Sequence, residues 1–168
     1  MGKKKEIDTR RGHRALGRVP EMRIPPAPGD AQRAERLRDV LAELIEVNRD
    51  VPVIVEGKKD ALALRSLGLE GEIITLHRGQ NLYEFSEEVI ENYGEAVLLL
   101  DWDQKGNQLT KSMEESLEGH FERFSGFREV IRAMCQKDIK DIESIPSLLR
   151  RLEGLAGPSA GSSAGPLA

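Results

Sequence analysis

Three acidic side chains stand where the chain turns abruptly from apolar to charged. Val51–Val55 reads "VPVIV" and is followed by Glu56, Gly57, Lys58, Lys59 and Asp60. Residues 96–100 read "AVLLL" and are followed by Asp101, Trp102, Asp103, Gln104, Lys105 and Gly106. In an extended chain residues i and i+2 share a side, so Asp101 and Asp103 can face one ion together while Trp102 points away. If the two apolar runs are neighbouring strands, Glu56 joins them. Three carboxylates in one cleft repel each other and raise each other's pKa unless a cation neutralises them. All-oxygen donors suit a hard ion, Mg2+ with Mn2+ as its substitute, and no Cys/His pattern competes for zinc. Lys58, Lys59 and Lys105, with Arg78 after a third apolar run at residues 72–76, could receive phosphate oxygens. A helix beginning after Gly57 would add backbone N–H donors for an anion. Singly, an Asp-x-Asp is most often a solvated turn, and a Glu-Gly is no more specific. The joint pattern, an acid at two strand ends with glycine and a helix behind each, is what points to a site.

Those residues must be positioned by the elements around them. Asp30 can cap a helix whose one-sided stripe is Leu37, Val40, Leu41, Leu44 and Ile45. Val51–Val55 reads as a buried strand. "KKDALALRSLG" follows as a helix stopped by Gly68, and "EIITL" (72–76) as a second strand. "NLYEFSEEVIENYG" places Leu82, Phe85, Val89, Ile90 and Tyr93 on one helix face, with Gly94 as the stop. "AVLLL" is a third strand. "NQLTKSMEESLEGHFERF" puts Leu109, Met113, Leu117, Phe121 and Phe124 on another helix face, and "FREVIRAM" (127–134) reads as a fourth strand. Ser144 and Pro146 open a last helix. Alternation of this kind predicts an α/β fold, a parallel sheet of about four strands flanked by helices and preceded by an N-terminal helix. Such sheets bind ligands beyond the carboxyl ends of their strands, near the switch in strand order, where Glu56, Asp101 and Asp103 fall.

The 168 residues, 39% hydrophobic and 32% charged, predict one soluble domain, placed at residues 30–153. No run of about 18 apolar residues predicts a membrane span, and "MGKKKEIDTRRGHRALGRVP" has no apolar stretch of the kind a secretory signal carries. A single cysteine, Cys135, allows no internal disulfide, which fits a cytoplasmic protein. The net charge of −4 hides an asymmetry. Residues 1–29 hold eight Lys and Arg against three acids, leaving +5 there and −9 on the remainder. "GRVPEMRIPPAPGD" is too proline-rich for a helix or paired strand, so residues 1–29 read as a disordered basic arm. Residues 154–168, "GLAGPSAGSSAGPLA", read as a flexible tail. A basic arm on an acidic body suits nucleic acid, through counterion release from phosphates. It equally suits a solvated arm that keeps the protein soluble.

"VIVEGKKDALALRSLG" together with "AVLLLDWDQKGNQL" resembles a Toprim domain, the module shared by topoisomerases, primases and certain nucleases. Its signature is a Glu-Gly after the first strand and an Asp-x-Asp after the third. By resemblance Glu56 is the family's glutamate, and Asp101 and Asp103 its metal-binding pair. Gly57 and Gly106 fit the flanking glycines, Asp60 an acid of the "EGxxD" form, and Gly79 a glycine in the loop after strand two. The resemblance covers roughly residues 50–135 and is greatest to the small stand-alone Toprim proteins. These include the bacterial ribonuclease that matures ribosomal RNA and archaeal relatives described as primase-like. It does not extend to a topoisomerase, which needs a DNA-gating region and a nucleophilic tyrosine, whereas Tyr83 and Tyr93 fall on a predicted helix. Nor does it extend to a full primase, since zinc-ribbon cysteines are missing. Trp102, bulky for its position, would pack beneath the site or stack on a base.

The resemblance implies a Mg2+-dependent enzyme acting on nucleic-acid phosphodiesters, first of all an RNA endonuclease like the ribosomal RNA maturase. Asp101 and Asp103 would hold the ion, and Glu56 would coordinate through water or act as general acid/base. Lys58, Lys59, Arg78 and Lys105 would stabilise phosphate charge. Two other readings stay open: a non-catalytic nucleic-acid-binding or scaffold module, and a primase-like nucleotidyl transferase. Little chain is left for a recognition domain, so a partner protein or a homodimer would supply specificity.

Overall fold

The longest helical stripe in the sequence becomes α1 (Asp30–Asn48) in a computed structural model that describes residues 29–76 and 79–154. Ala34, Leu37, Leu41, Leu44 and Val47 recur every three or four residues and are all buried, as one face of a 3.6-residue helix requires. The chain continues as β1 (Val53–Val55), α2 (Lys58–Ser66), β2 (Ile73–Thr75), α3 (Leu82–Tyr93), β3 (Val97–Leu98) and α4 (Gln104–Ser116). A short 3-10 turn at Glu122–Phe124 leads into α5 (Gly126–Cys135) and α6 (Ile145–Leu152). The arm predicted for residues 1–29 and the tail predicted for 154–168 lie outside the described residues, except for Gly29 and Gly154.

The three strands run parallel in the order β2-β1-β3, with Val53 opposite both Ile73 and Val97. β1 is the central strand and is buried throughout, which is why it reads as an unbroken apolar run. Alternate residues serve two cores. Val53, Val55, Val97 and Leu99 pack against α1, α2, α5 and α6. Ile54, Leu98 and Leu100 pack against α3 and α4. The result is the expected α/β architecture, a parallel sheet covered on both faces and preceded by a helix. No helix among the described residues is long and apolar enough to cross a membrane.

Asp30 is the first residue of α1 rather than its cap, the N-cap position being Gly29 with no side-chain cap; three further expectations fail, each for a physical reason. "FREVIRAM" is not a fourth strand but the body of α5, so the sheet has three strands among the described residues. Phe127, Ile131 and Cys135, spaced by four, are all fully buried; a strand would instead have put the charge of Glu129 on the same face as Phe127 and Ile131. The helix predicted to run through Phe124 stops at Ser116. Leu117 belongs to one core and Phe124 to the other, on opposite sides of the sheet, so a single straight helix cannot bury both. The chain turns between them at Gly119, where φ is +89°. Tyr93, assigned to the apolar face of α3, is 43% exposed.

The α1–β1 and α2–β2 connections meet at one tight contact. Asn48 is 1% exposed. Its Oδ1 accepts from Gly71 N at 2.8 Å, and its Nδ2 donates to Val51 O at 3.1 Å and Glu72 O at 2.9 Å. A Cβ on Gly71 would lie 1.7 Å from the Asn48 carbonyl oxygen. Gly71→Ala is therefore expected to destabilise the fold by about 3 kcal/mol or more, read as a lowered urea midpoint.

Candidate metal centre

In the order β2-β1-β3, the connection leaving β1 passes over one face through α2, and the connections on either side of β3 pass over the other through α3 and α4. The switch point lies between β1 and β3; Glu56 directly follows β1, and Asp101 comes three residues after the end of β3. Backbone bonds carry the pairing to that edge, with Leu99 N donating to Ile54 O at 2.9 Å and Leu76 N to Val55 O at 3.1 Å.

Glu56 Oε1 is buried and has no hydrogen-bond partner, a costly state for a carboxylate oxygen. Burial, then the charges of Asp103 and Asp60, push the Glu56 carboxyl above its ordinary range; Lys105 and the backbone amide of Asp101 pull the other way. Asp101 is half-buried, and burial above all pushes its carboxyl up to about 7. The charges of Asp60, Glu56 and Asp141 add to the rise, while the Ile142 amide opposes it. That amide donates to Asp101 Oδ1 at 2.9 Å. Asp103 is the N-cap of α4, its Oδ1 accepting from Gly106 N at 2.6 Å. The hydrogen bonds to Asp101 and Asp103 engage one oxygen of each carboxylate, so each keeps a second oxygen to offer.

Asp60 sits at the third position of α2, where its Oδ2 accepts from Gly57 N at 3.1 Å and so caps the helix. Its carboxyl too is pushed up by burial, with Glu143 and Asp141 adding to the rise and the amides of Gly57 and Glu143 opposing it. Lys58 and Lys59 are exposed at the start of α2. Lys59 lines a shallow groove between α2 and α6 together with Leu62, Glu143 and Ser147. Lys105, on the first turn of α4, lies near enough to Glu56 to act on its carboxyl. Gly79 has φ +78°, which favours glycine. Arg78 lies outside the described residues.

Trp102 belongs to the core, 7% exposed, with Nε1 donating to Ile139 O at 2.8 Å. It packs rather than offering a stacking surface. Sequence reasoning missed Asp141 and Glu143, in the loop between α5 and α6, and Arg128 on α5. The acid-rich run "KDIKDIES" was the available signal for the first two. Arg128 was hidden by the strand assignment.

The fit to a divalent ion rests on these groups. The donors are all oxygens, one is orphaned, and the carboxyls of Glu56 and Asp101 are pushed up chiefly by burial and further by their acidic neighbours. Among the described residues no three His, Cys, Asp or Glu side chains form a ready-made cage.

A family model described as Toprim-like matches residues 53–143. A UPF0292 protein of Methanosarcina barkeri is 38% identical over 127 residues, covering 72% of this chain and 85% of that one. A UPF0292 protein of Methanosarcina acetivorans is 34% identical over 136 residues, covering 76% and 90%. Among solved structures, a protein from Aquifex aeolicus superposes with a TM-score of 0.54 at 26% identity, over 64% of this chain and 95% of that one. The stretch that the family model matches contains the three strands and both acidic loops.

Proposed function

The chain belongs to the Toprim-like family, which points to a metal-binding, nucleic-acid-related role, and within that role we propose that it is a Mg2+-dependent RNA endonuclease. The observation that carries the reading is the orphaned Glu56 Oε1 beside Asp101 and Asp103, at the switch point of a parallel sheet. Asp101 and Asp103 hold the ion through their remaining oxygens, with Mn2+ as an alternative metal. When bound, the ion polarises a phosphate and acidifies a water.

The other steps fall to the chain's own side chains. Glu56, whose carboxyl is raised by burial and by the charges of Asp103 and Asp60, holds or moves a proton at Oε1. Lys105 lies on the same edge and meets phosphate charge, with Lys58, Lys59 and Arg78 as further contacts. The basic residues of segment 1–29 hold the nucleic-acid backbone without reading its sequence. In this reading substrate choice is assigned to a partner protein or a second copy of the chain.

The test is cleavage of structured RNA, single-stranded RNA and DNA, with Mg2+ or with EDTA, by the wild type, Glu56→Gln and Asp101→Asn. RNA cleavage that needs the metal and falls at least a hundredfold in both variants supports the reading. Cleavage by Asp101→Asn at the wild-type rate overturns the site. Binding without turnover on any substrate makes the chain a binding module, and incorporation of labelled nucleotides makes it a transferase.

A further inference from the structure

β3 is only two residues long, and the chain leaves the sheet just before the two aspartates. The carbonyls of Leu100 and Asp101 therefore need partners from elsewhere. Arg128 of α5 supplies them. Its Nε donates to Leu100 O at 2.9 Å, and its Nη2 donates to Asp101 O at 2.6 Å and to Asn107 Oδ1 at 2.7 Å. Asn107, on α4, in turn donates from Nδ2 to Trp102 O at 3.4 Å. Arg128 is 6% exposed. Its ion pair with Glu129 is long, at 3.9 Å, and its hydrogen bonds go instead to two backbone carbonyls and Asn107. A buried arginine is costly. What this one achieves is to fix Leu100 and Asp101 with a planar fork that lysine cannot imitate, while Asn107, held by the same guanidinium, adds Trp102. The loop after α5 holds the same stretch independently, with Trp102 N donating to Lys140 O at 3.0 Å and Ile142 N to Asp101 Oδ1.

We infer that Arg128, acting with Asn107, is the positioning residue of the metal centre, holding the backbone that aims Asp101 and Asp103. The inference rests on the reading that these two aspartates take the ion, and the test separates the two. Trp102, the single tryptophan of the chain, lies between the aspartates and can sensitise the emission of bound Tb3+. Tb3+ is titrated into wild type, Arg128→Met, Arg128→Lys, Asn107→Ala and Asp101→Asn, with Mg2+ competition and circular dichroism on each. Arg128→Met is expected to weaken Tb3+ binding by about 10- to 100-fold with the helical signal unchanged. Arg128→Lys should fall between it and the wild type, and Asn107→Ala should lose affinity in the same direction but less. A folded Arg128→Met that binds like the wild type overturns the positioning role while leaving the metal centre standing. Wild-type binding by Asp101→Asn overturns the metal reading and this inference with it. If Arg128→Met fails to fold, Asn107→Ala decides alone, because Asn107 is exposed and its truncation spares the core; unchanged affinity in that variant overturns the inference.

Discussion

Asp101→Asn is expected to stabilise the metal-free protein at pH 8 and, in the same molecule, to abolish its stabilisation by Mg2+. The two effects have opposite signs because one carboxylate is responsible for both. In the fold the Asp101 carboxyl is raised from an ordinary 3.8 to about 7. The folded chain therefore binds this proton more tightly than the unfolded chain. Stability linked to the group is fully present below about pH 4 and is lost as pH rises towards 7. That rise corresponds to an upper bound of about 4 kcal/mol, which partial solvent exposure reduces to about 1–2 kcal/mol. Asparagine keeps the oxygen that accepts from the Ile142 amide and removes the charge, so the metal-free variant should melt about 4–8 °C higher at pH 8 and lose much of the downward slope between pH 4 and 7. Mg2+ binds the ionised form, so its stabilising effect on the wild type should grow across that same window and be missing from the variant. Differential scanning calorimetry at several pH values, with Mg2+ and with EDTA, reads all of this. A variant that melts below the wild type in EDTA at pH 8 would show that Asp101 is stabilised by its surroundings rather than waiting for a cation.

The elements that carry the site were readable from the sequence, because each announces itself through a local pattern. Buried parallel strands are continuous apolar runs, and Gly68 and Gly94 end their helices at positive φ. What could not be read is what depends on contacts between distant segments. Nothing local distinguishes Arg128 from a surface arginine; its role exists only because α5 brings it beside the end of β3. The same is true of Asp141 and Glu143, which join the acidic edge because Ile142 is tied to Asp101 and Trp102 to Lys140. "FREVIRAM" went wrong for a related reason. Its eight residues satisfy a short β-rich pattern, and only Cys135, one residue beyond, completes the spacing of four that marks the buried face of α5.

Gly106→Ala is expected to be the most damaging conservative change near the site, and Gly57→Ala one of the mildest, although the two glycines look equivalent in their motifs. A Cβ at Gly57 would meet nothing nearer than Asp60 Oδ2 at 3.9 Å, and Gly57 has φ −149°, open to any residue. A Cβ at Gly106 would lie 2.1 Å from the carbonyl oxygen of Asp101 and 2.6 Å from its carbonyl carbon. Those are backbone atoms, so no rotamer change relieves the overlap. Alanine's helix-propensity gain of about 1 kcal/mol is outweighed by an overpacking cost of about 3 kcal/mol or more. The direction of relief matters more than its size. Either the first turn of α4 moves outward, breaking the 2.6 Å cap from Gly106 N to Asp103 Oδ1, or the residue 100–102 backbone moves and strains its bonds to Arg128. Both routes separate Asp103 from Asp101. Gly106→Ala should therefore lower the melting temperature by about 5–10 °C and weaken Tb3+ or Mn2+ binding at least tenfold, whereas Gly57→Ala should shift neither appreciably. Thermal melts and metal titrations on the two purified variants, side by side, decide it: equal behaviour would mean that the close approach of α4 to Asp101 does not shape the site.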